Sequence, residues 1–168
     1  MERNDRYLRH YTLKGFGQEA QEKLLQAKVL VVGAGGLGCP ALQYLAAAGV
    51  GKLGIVDYDR IEVHNLHRQI LFNSTEIGLP KADTAAAKLK LLNPEIEVHA
   101  YCLKLSTDNA IALLEGYDII LDCSDNFALR YLLSDLCMLL EKPLVFAAVY
   151  QYEGQLAVFN VADIKGHK

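Results

Sequence analysis

Three glycines, Gly33, Gly35 and Gly38, restrict this chain more than any other feature, because of what flanks them. They give the spacing G-x-G-x-x-G directly after residues 28–32, a β-branched apolar run of the kind that makes a strand buried on both faces. Leu37, Ala41, Leu42, Leu45 and Ala48 follow at helical intervals, and Gly49 is placed to stop that helix. Residues 52–56 read as the next strand, with Asp57 at its carboxyl end, 19 residues after Gly38. Strand, glycine turn, helix and strand in this register suit a nucleotide. The glycines let backbone approach phosphate, the amides that open the helix face it, and the acid accepts hydrogen bonds from ribose hydroxyls. A glycine motif alone is equally compatible with a packing turn, so the flanking elements carry the reading.

The length of 168 residues allows one domain with a sizeable core. A formal net charge of -3 and a sequence pI near 5.9 give no global basic field, which argues against a general nucleic-acid ligand. No apolar run approaches the roughly 20 residues needed to span a bilayer, and the opening residues lack the apolar core of a signal peptide, so the expectation is a cytoplasmic protein with no membrane partner. Cys39, Cys102, Cys123 and Cys137 are far apart, with no C-x-x-C pair. All four read as reduced, buried thiols inside predicted elements.

Along the chain, residues 3–9 and 17–26 read as helices around the hinge Gly15-Phe16-Gly17. Arg3, Arg6, Arg9 and His10 fall near helical spacing and make one basic face, suited to an anion or simply to solvent. After Asp57 and Asp59 the crossover is not a plain amphipathic helix. It places Asn65, Arg68 and Gln69 just past the carboxyl edge of the sheet, where open α/β sheets hold ligands. Gly78-Leu79-Pro80 breaks the chain and Lys81 opens a helix through Leu92. An anion at that helix start would feel both the lysine and the helix N-terminus; the plainer alternative is a surface lysine.

Residues 95–101 alternate as a strand, Ser106-Thr107-Asp108 is placed to cap a short helix over 109–114, and residues 117–121 form a fourth, buried strand. That strand ends in Asp122-Cys123-Ser124-Asp125-Asn126. Two carboxylates beside a phosphate pocket call for a bridging cation such as Mg²⁺, while Asp125 or Asn126 is equally placed to cap the helix over 127–140. Cys123 has no histidine close by in sequence and reads as a packing thiol. Residues 142–150 are the fifth strand and residues 153–159 a hairpin partner with turn chemistry at Glu153-Gly154. The predicted fold is α/β: a Rossmann-like, doubly wound, mostly parallel sheet with helices on both faces and a C-terminal antiparallel hairpin. It divides into a helical segment over 1–27, a core over 28–160 and a truncated or unstructured end over 161–168. The outer hairpin strand calls for something to cover it.

Taken in order, the motifs identify a resemblance. The chain is similar to the ThiF/HesA/MoeB family, bacterial relatives of the ubiquitin-activating enzymes, from Arg6-Tyr7-Leu8-Arg9-His10 to residues 154–159. The residues that carry it include Gly-Phe-Gly-Gln-Glu-Ala-Gln, Gly-Ala-Gly-Gly-Leu-Gly-Cys, Asp57-x-Asp59, Asn65-Leu66-His67-Arg68-Gln69, Gly78-Leu79-Pro80-Lys81 and Asp122-Cys123-Ser124-Asp125-Asn126. The resemblance implies a single ATP-binding adenylation domain that activates the C-terminal glycine carboxylate of a ubiquitin-like sulfur carrier, for thiamine or molybdenum-cofactor biosynthesis. It implies that Gly36 meets the nucleotide through backbone, that Asp57 holds the ribose, and that Asn65, Arg68 and Lys81 hold phosphates. Asp59, Gln69 and Asn126 join the nucleotide contacts and Asp125 is the Mg²⁺ ligand. Arg9 reaches across a homodimer into the partner's site, so the catalytic set is Arg9, Arg68, Lys81 and Asp125. The structural Zn²⁺ common in the family is not expected, because its cysteine pairs are absent from this sequence. The competing readings are a truncated nucleotide-binding and dimerisation module without turnover, a tRNA-modifying ATP-dependent dehydratase and an NAD-dependent oxidoreductase. The acidic pI weighs against the dehydratase, and no hydride-transfer constellation supports the oxidoreductase.

Overall fold

The computed structural model describes residues 6–161. Strand β1 (Lys28–Val32) lies at the centre of the sheet, with β2 (Lys52–Val56) on one side and β4 (Ile119–Asp122) on the other. Beyond them come β3 (Glu97–Tyr101), β5 (Leu144–Tyr150) and β6 (Glu153–Phe159), giving the order β3-β2-β1-β4-β5-β6. All neighbours pair in parallel except β5 with β6. The strand order reverses between β1 and β4, so a crevice opens beside β1 at the carboxyl ends of the strands.

The alternation of β1 builds both faces of the core. Val29 and Val31 pack with Leu42 and Ala46 of α3 (Gly38–Ala48) and with Ala82, Ala85 and Leu89 of α4 (Lys81–Leu92). Leu30 and Val32 face the other way, onto Ala110 and Leu114 of α5 (Ala110–Glu115) and Leu133 and Cys137 of α6 (Phe127–Leu139). Each face is covered by helices, as the continuous apolar strands require. Gly49 ends α3 in the left-handed region at φ 85, with its N–H on Ala46 and the Val50 N–H on Leu45.

The opening segment differs from its expectation. Its helix, α1, spans Leu8–Tyr11, and residues 1–5 with Arg3 lie outside the described residues. The basic face disperses. Arg6 donates to the Leu92 carbonyl at 3.1 Å, and His10 shares a 2.6 Å hydrogen bond with Gln21 of α2 (Gly17–Gln26), leaving Arg9 exposed. Tertiary contacts at Tyr7 decide this arrangement. Its ring is 1% exposed and packs over Gly49, where a Cβ would come within 2.5 Å of the phenol oxygen, and its hydroxyl accepts from Asn93 at 2.9 Å.

Three local expectations are also corrected. The hairpin turn is Gln151-Tyr152, since Tyr150 pairs with Glu153 and Gly154 lies within β6. Gln151 takes the left-handed turn conformation, φ 53, without a glycine to announce it. Asn109, rather than the Ser106 group, stands at the N-cap of α5, and its side chain turns back to accept from the Ser106 N–H at 2.9 Å. Cys102 is exposed, because β3 ends at Tyr101; the other three thiols are buried. Strand β6 is the outer strand and is largely exposed, including Leu156 and Val158. The end expected over 161–168 lies, apart from Val161, outside the described residues. No helix among the described residues is long and apolar enough to cross a membrane.

Candidate nucleotide site

A cavity of about 1020 Å³ opens at the carboxyl ends of β1, β2 and β4. Its floor is the glycine turn. Gly33 has φ +97, and a Cβ there would meet the Cys123 carbonyl oxygen at 2.8 Å. Gly38 sits beneath the turn, where a Cβ would run into the Gly33 carbonyl, so it shapes the cavity without lining it. Gly35 and Gly36 do line it. The N–H groups of Gly35, Gly36 and Leu37 have no acceptor among the described residues, while the Ala34 N–H is held by Asp57 Oδ2 at 2.8 Å. Unsatisfied amides at the start of α3, beside its positive dipole end, suit an anion.

Asp57 fixes one wall. Its Oδ1 accepts from the Asp59 N–H at 2.8 Å, leaving lone pairs on both oxygens toward the cavity. Burial pushes this carboxyl above its usual range, and the two backbone donors offset part of that push. Lys81 is no surface lysine. It is 4% exposed, opens α4, and places Nζ 2.9 Å from Asp59 Oδ2. Arg68 lays its stem over Gly36 and donates to Asn65 Oδ1 at 3.1 Å. Asn65 and Gln69 are buried at 7% and 3% exposure, and Gln69 Oε1 is itself buried with no hydrogen-bond partner among the described residues.

The opposite wall comes from the turn after β4, and here one expectation fails. Strand parity puts Asp122 on the same face as Ile120, inside the packed layer, and it is 0% exposed. Its Oδ1 accepts from the Ser124 N–H at 2.9 Å and hydroxyl at 2.7 Å, so Asp125 alone of the expected pair reaches the cavity. Asn126 also lines it and caps α6, accepting from the Leu129 N–H at 3.2 Å. Arg9 does not line it. Among the described residues no three His, Cys, Asp or Glu side chains cluster as a metal centre. Mg²⁺ needs no such cluster, since it commonly keeps its waters and uses one or two carboxylates with substrate phosphates, so Asp125 fits that ion. Cys123 packs in the core layer at 9% exposure while also lining the cavity, and burial, reinforced by Asp122, pushes its thiol up to about 12.

Sequence reading missed Arg130. Its Nη2 donates to the Ser124 carbonyl at 2.6 Å, and its guanidinium carbon lies 5.1 Å from the Phe146 ring centroid and 5.7 Å from that of Phe127. The available signal was helical periodicity, one turn after the capping Asn126. Arg60 and Lys104 also line the cavity without a motif to flag them, and Ser124 lines it from within the run Asp122-Cys123-Ser124-Asp125-Asn126.

Comparisons with known proteins show what the chain as a whole is similar to. A sulfur carrier protein adenylyltransferase of Thermus thermophilus is 52% identical over 162 residues, covering 96% of this chain and 60% of that protein. The adenylyltransferase and sulfurtransferase MOCS3 of Culex quinquefasciatus is 54% identical over 155 residues, 92% of this chain and 35% of that one. Among solved structures, E. coli MccB with ATP matches at a TM-score of 0.75 and 30% identity, over 88% of this chain and 44% of MccB. TcdA (CsdL) matches at 0.80 and 30% identity, over 85% and 56% respectively. The chain therefore spans between about a third and 60% of the length of these relatives. The ThiF family model matches residues 7–167, and with identity near one half across that span the chain belongs to the ThiF family.

Proposed function

We propose that this chain forms the ATP-binding part of an adenylyltransferase acting on the C-terminal glycine carboxylate of a ubiquitin-like sulfur carrier ending in Gly-Gly. The observation that carries the reading is Lys81, a buried cation that lines the same cavity as the free amides of the glycine turn, Arg68 and Asp57. Amides, two cations and a ribose-type acid on one cavity match a nucleoside triphosphate. The names of the relatives support a sulfur carrier as the acid that is activated. Sulfur delivery for thiamine or for molybdenum cofactor is the process this chemistry serves.

In the reaction, a carboxylate oxygen attacks the α-phosphorus, the bond from that phosphorus to the β-bridging oxygen breaks, and pyrophosphate leaves with the bond's electron pair. A carboxylate is already ionised at neutral pH, so no general base is required. The chain's part is alignment and charge. The glycine-turn amides and Arg68 seat the phosphates, Lys81 neutralises charge building on them, and Asp57 fixes the ribose. Asp125 would hold Mg²⁺, which when bound would supply charge stabilisation for the phosphates. Arg9, exposed and away from its own cavity, serves the site of a second copy.

The test is carrier-dependent exchange of labelled pyrophosphate into ATP. Arg68→Ala and Lys81→Ala are expected to lower the rate by roughly 10²-fold or more, the scale for losing a transition-state charge partner. Co-purified Arg9→Ala and Lys81→Ala subunits should regain activity that neither has alone, since each mixed dimer then contains one site with both side chains. ATP binding with no exchange for any carrier would make the chain a nucleotide-binding module instead.

A further inference from the structure

Lys81 occupies an unfavourable place for a cation. It is almost fully buried, and it opens α4, where the helix dipole presents positive charge. Its anionic partner is Asp59, 2.9 Å away. The same aspartate receives the Lys81 backbone N–H on its own carbonyl at 3.0 Å. Around it, the segment 59–61 is clasped to 78–81: Ile61 N–H donates to Leu79 at 2.9 Å, Gly78 N–H to Ile61 at 2.8 Å, and Arg60 pairs with Pro80. On its other side Asp59 donates its N–H to Asp57, which holds the Ala34 N–H. One unbroken chain of hydrogen bonds thus runs from the glycine turn through Asp57 and Asp59 to Lys81.

We propose that Asp59 is a positioning residue that works through Lys81, rather than a nucleotide contact of its own. A carboxylate aimed at a polyphosphate would repel it, whereas one that holds a buried ammonium in place sets where the phosphates find their cation. The chain of bonds ties that position to the ribose acid, so sugar and phosphate subsites keep a fixed separation. This inference rests on the nucleotide reading given above.

The test separates phosphate from sugar. Affinities for ATP with Mg²⁺ and for adenosine are measured by titration calorimetry on the wild type, Asp59→Asn, Lys81→Met and the double variant, with thermal melts to confirm folding. Asp59→Asn is expected to weaken ATP by roughly tenfold or more, as for loss of a charge-assisted hydrogen bond, and to leave adenosine within about twofold. The double variant should bind ATP no worse than Lys81→Met alone, because both changes act on one interaction. Asp59→Glu, which keeps the charge and shifts it by one methylene, should fold and show a smaller loss of the same phosphate-specific kind. Equal losses of ATP and adenosine would overturn the proposal, and so would independent, multiplying losses in the double variant. A wild-type protein that binds neither ligand would instead overturn the nucleotide reading, and the role of Asp59 with it.

Discussion

The Gly33 carbonyl fills the space that a side chain at Gly38 would need, and the Cys123 backbone fills that beside Gly33, whereas the space beside Gly36 is bounded by the flexible stem of Arg68. Gly38→Ala should therefore destabilise the fold by about 1–3 kcal/mol, because its Cβ meets rigid backbone. Gly36→Ala should fold normally, since the Arg68 stem 3.4 Å from the added carbon can shift. Denaturant midpoints of the two variants check the contrast. The thiols make a second residue-level prediction. Burial pushes Cys39 and Cys137 each up to about 11 and Cys123 up to about 12, while Cys102 is exposed. Iodoacetamide under native conditions should label Cys102 alone, slowly, because its thiol too is raised by partial burial and by Asp83. Mass spectrometry of the labelled peptides reads this directly.

At the scale of elements, the walls of the cavity depend on how helices begin. Asn126→Ala removes the cap of α6 and should lower stability by about 1 kcal/mol. It should weaken nucleotide binding as well, since the same turn carries Asp125. The loop before α4 is held by Glu76, which accepts from the Asn73 N–H at 2.9 Å and pairs with Lys88 at 2.7 Å. Burial pushes the Glu76 carboxyl up, but Lys88 and the Asn73 N–H together outweigh it and hold it below the usual 4.5. With the folded value depressed, this stabilisation is complete above 4.5 and fades as pH falls through the folded value. Glu76→Gln should thus lower unfolding free energy by roughly 1–2 kcal/mol at neutral pH, with the gap to wild type closing in acid. Urea titrations of both proteins across that range measure it.

The whole molecule is tied together by contacts between segments far apart in sequence. Asn93, fully buried, donates to the Tyr7 hydroxyl at 2.9 Å and the Ala46 carbonyl at 2.8 Å, pinning the opening segment to the end of α3 and the end of α4. Asn93→Ala strips the buried Tyr7 hydroxyl of its donor, leaves the Ala46 carbonyl with the Gly49 N–H alone and opens a void, so a loss of about 2–4 kcal/mol is expected in equilibrium unfolding. Periodicity and turn chemistry, both local, were enough to find the strands and long helices from the sequence, with most boundaries within about two residues. They also fixed the glycine turn and put Asp57, Arg68, Lys81 and Asp125 at the carboxyl edge, because a strand's polarity settles which end its following loop occupies. Periodicity had nothing to say about contacts across crossovers. Packing decided that Lys81 is buried on Asp59, that strand parity turns Asp122 away from the cavity, and that Arg130 closes onto Ser124. It also dispersed the basic opening face, because Tyr7 seats on Gly49 and orients the segment as a whole. Local residue patterns specify the elements; the burial and pairing of charges follow from how distant segments meet, and only the tertiary structure holds that information.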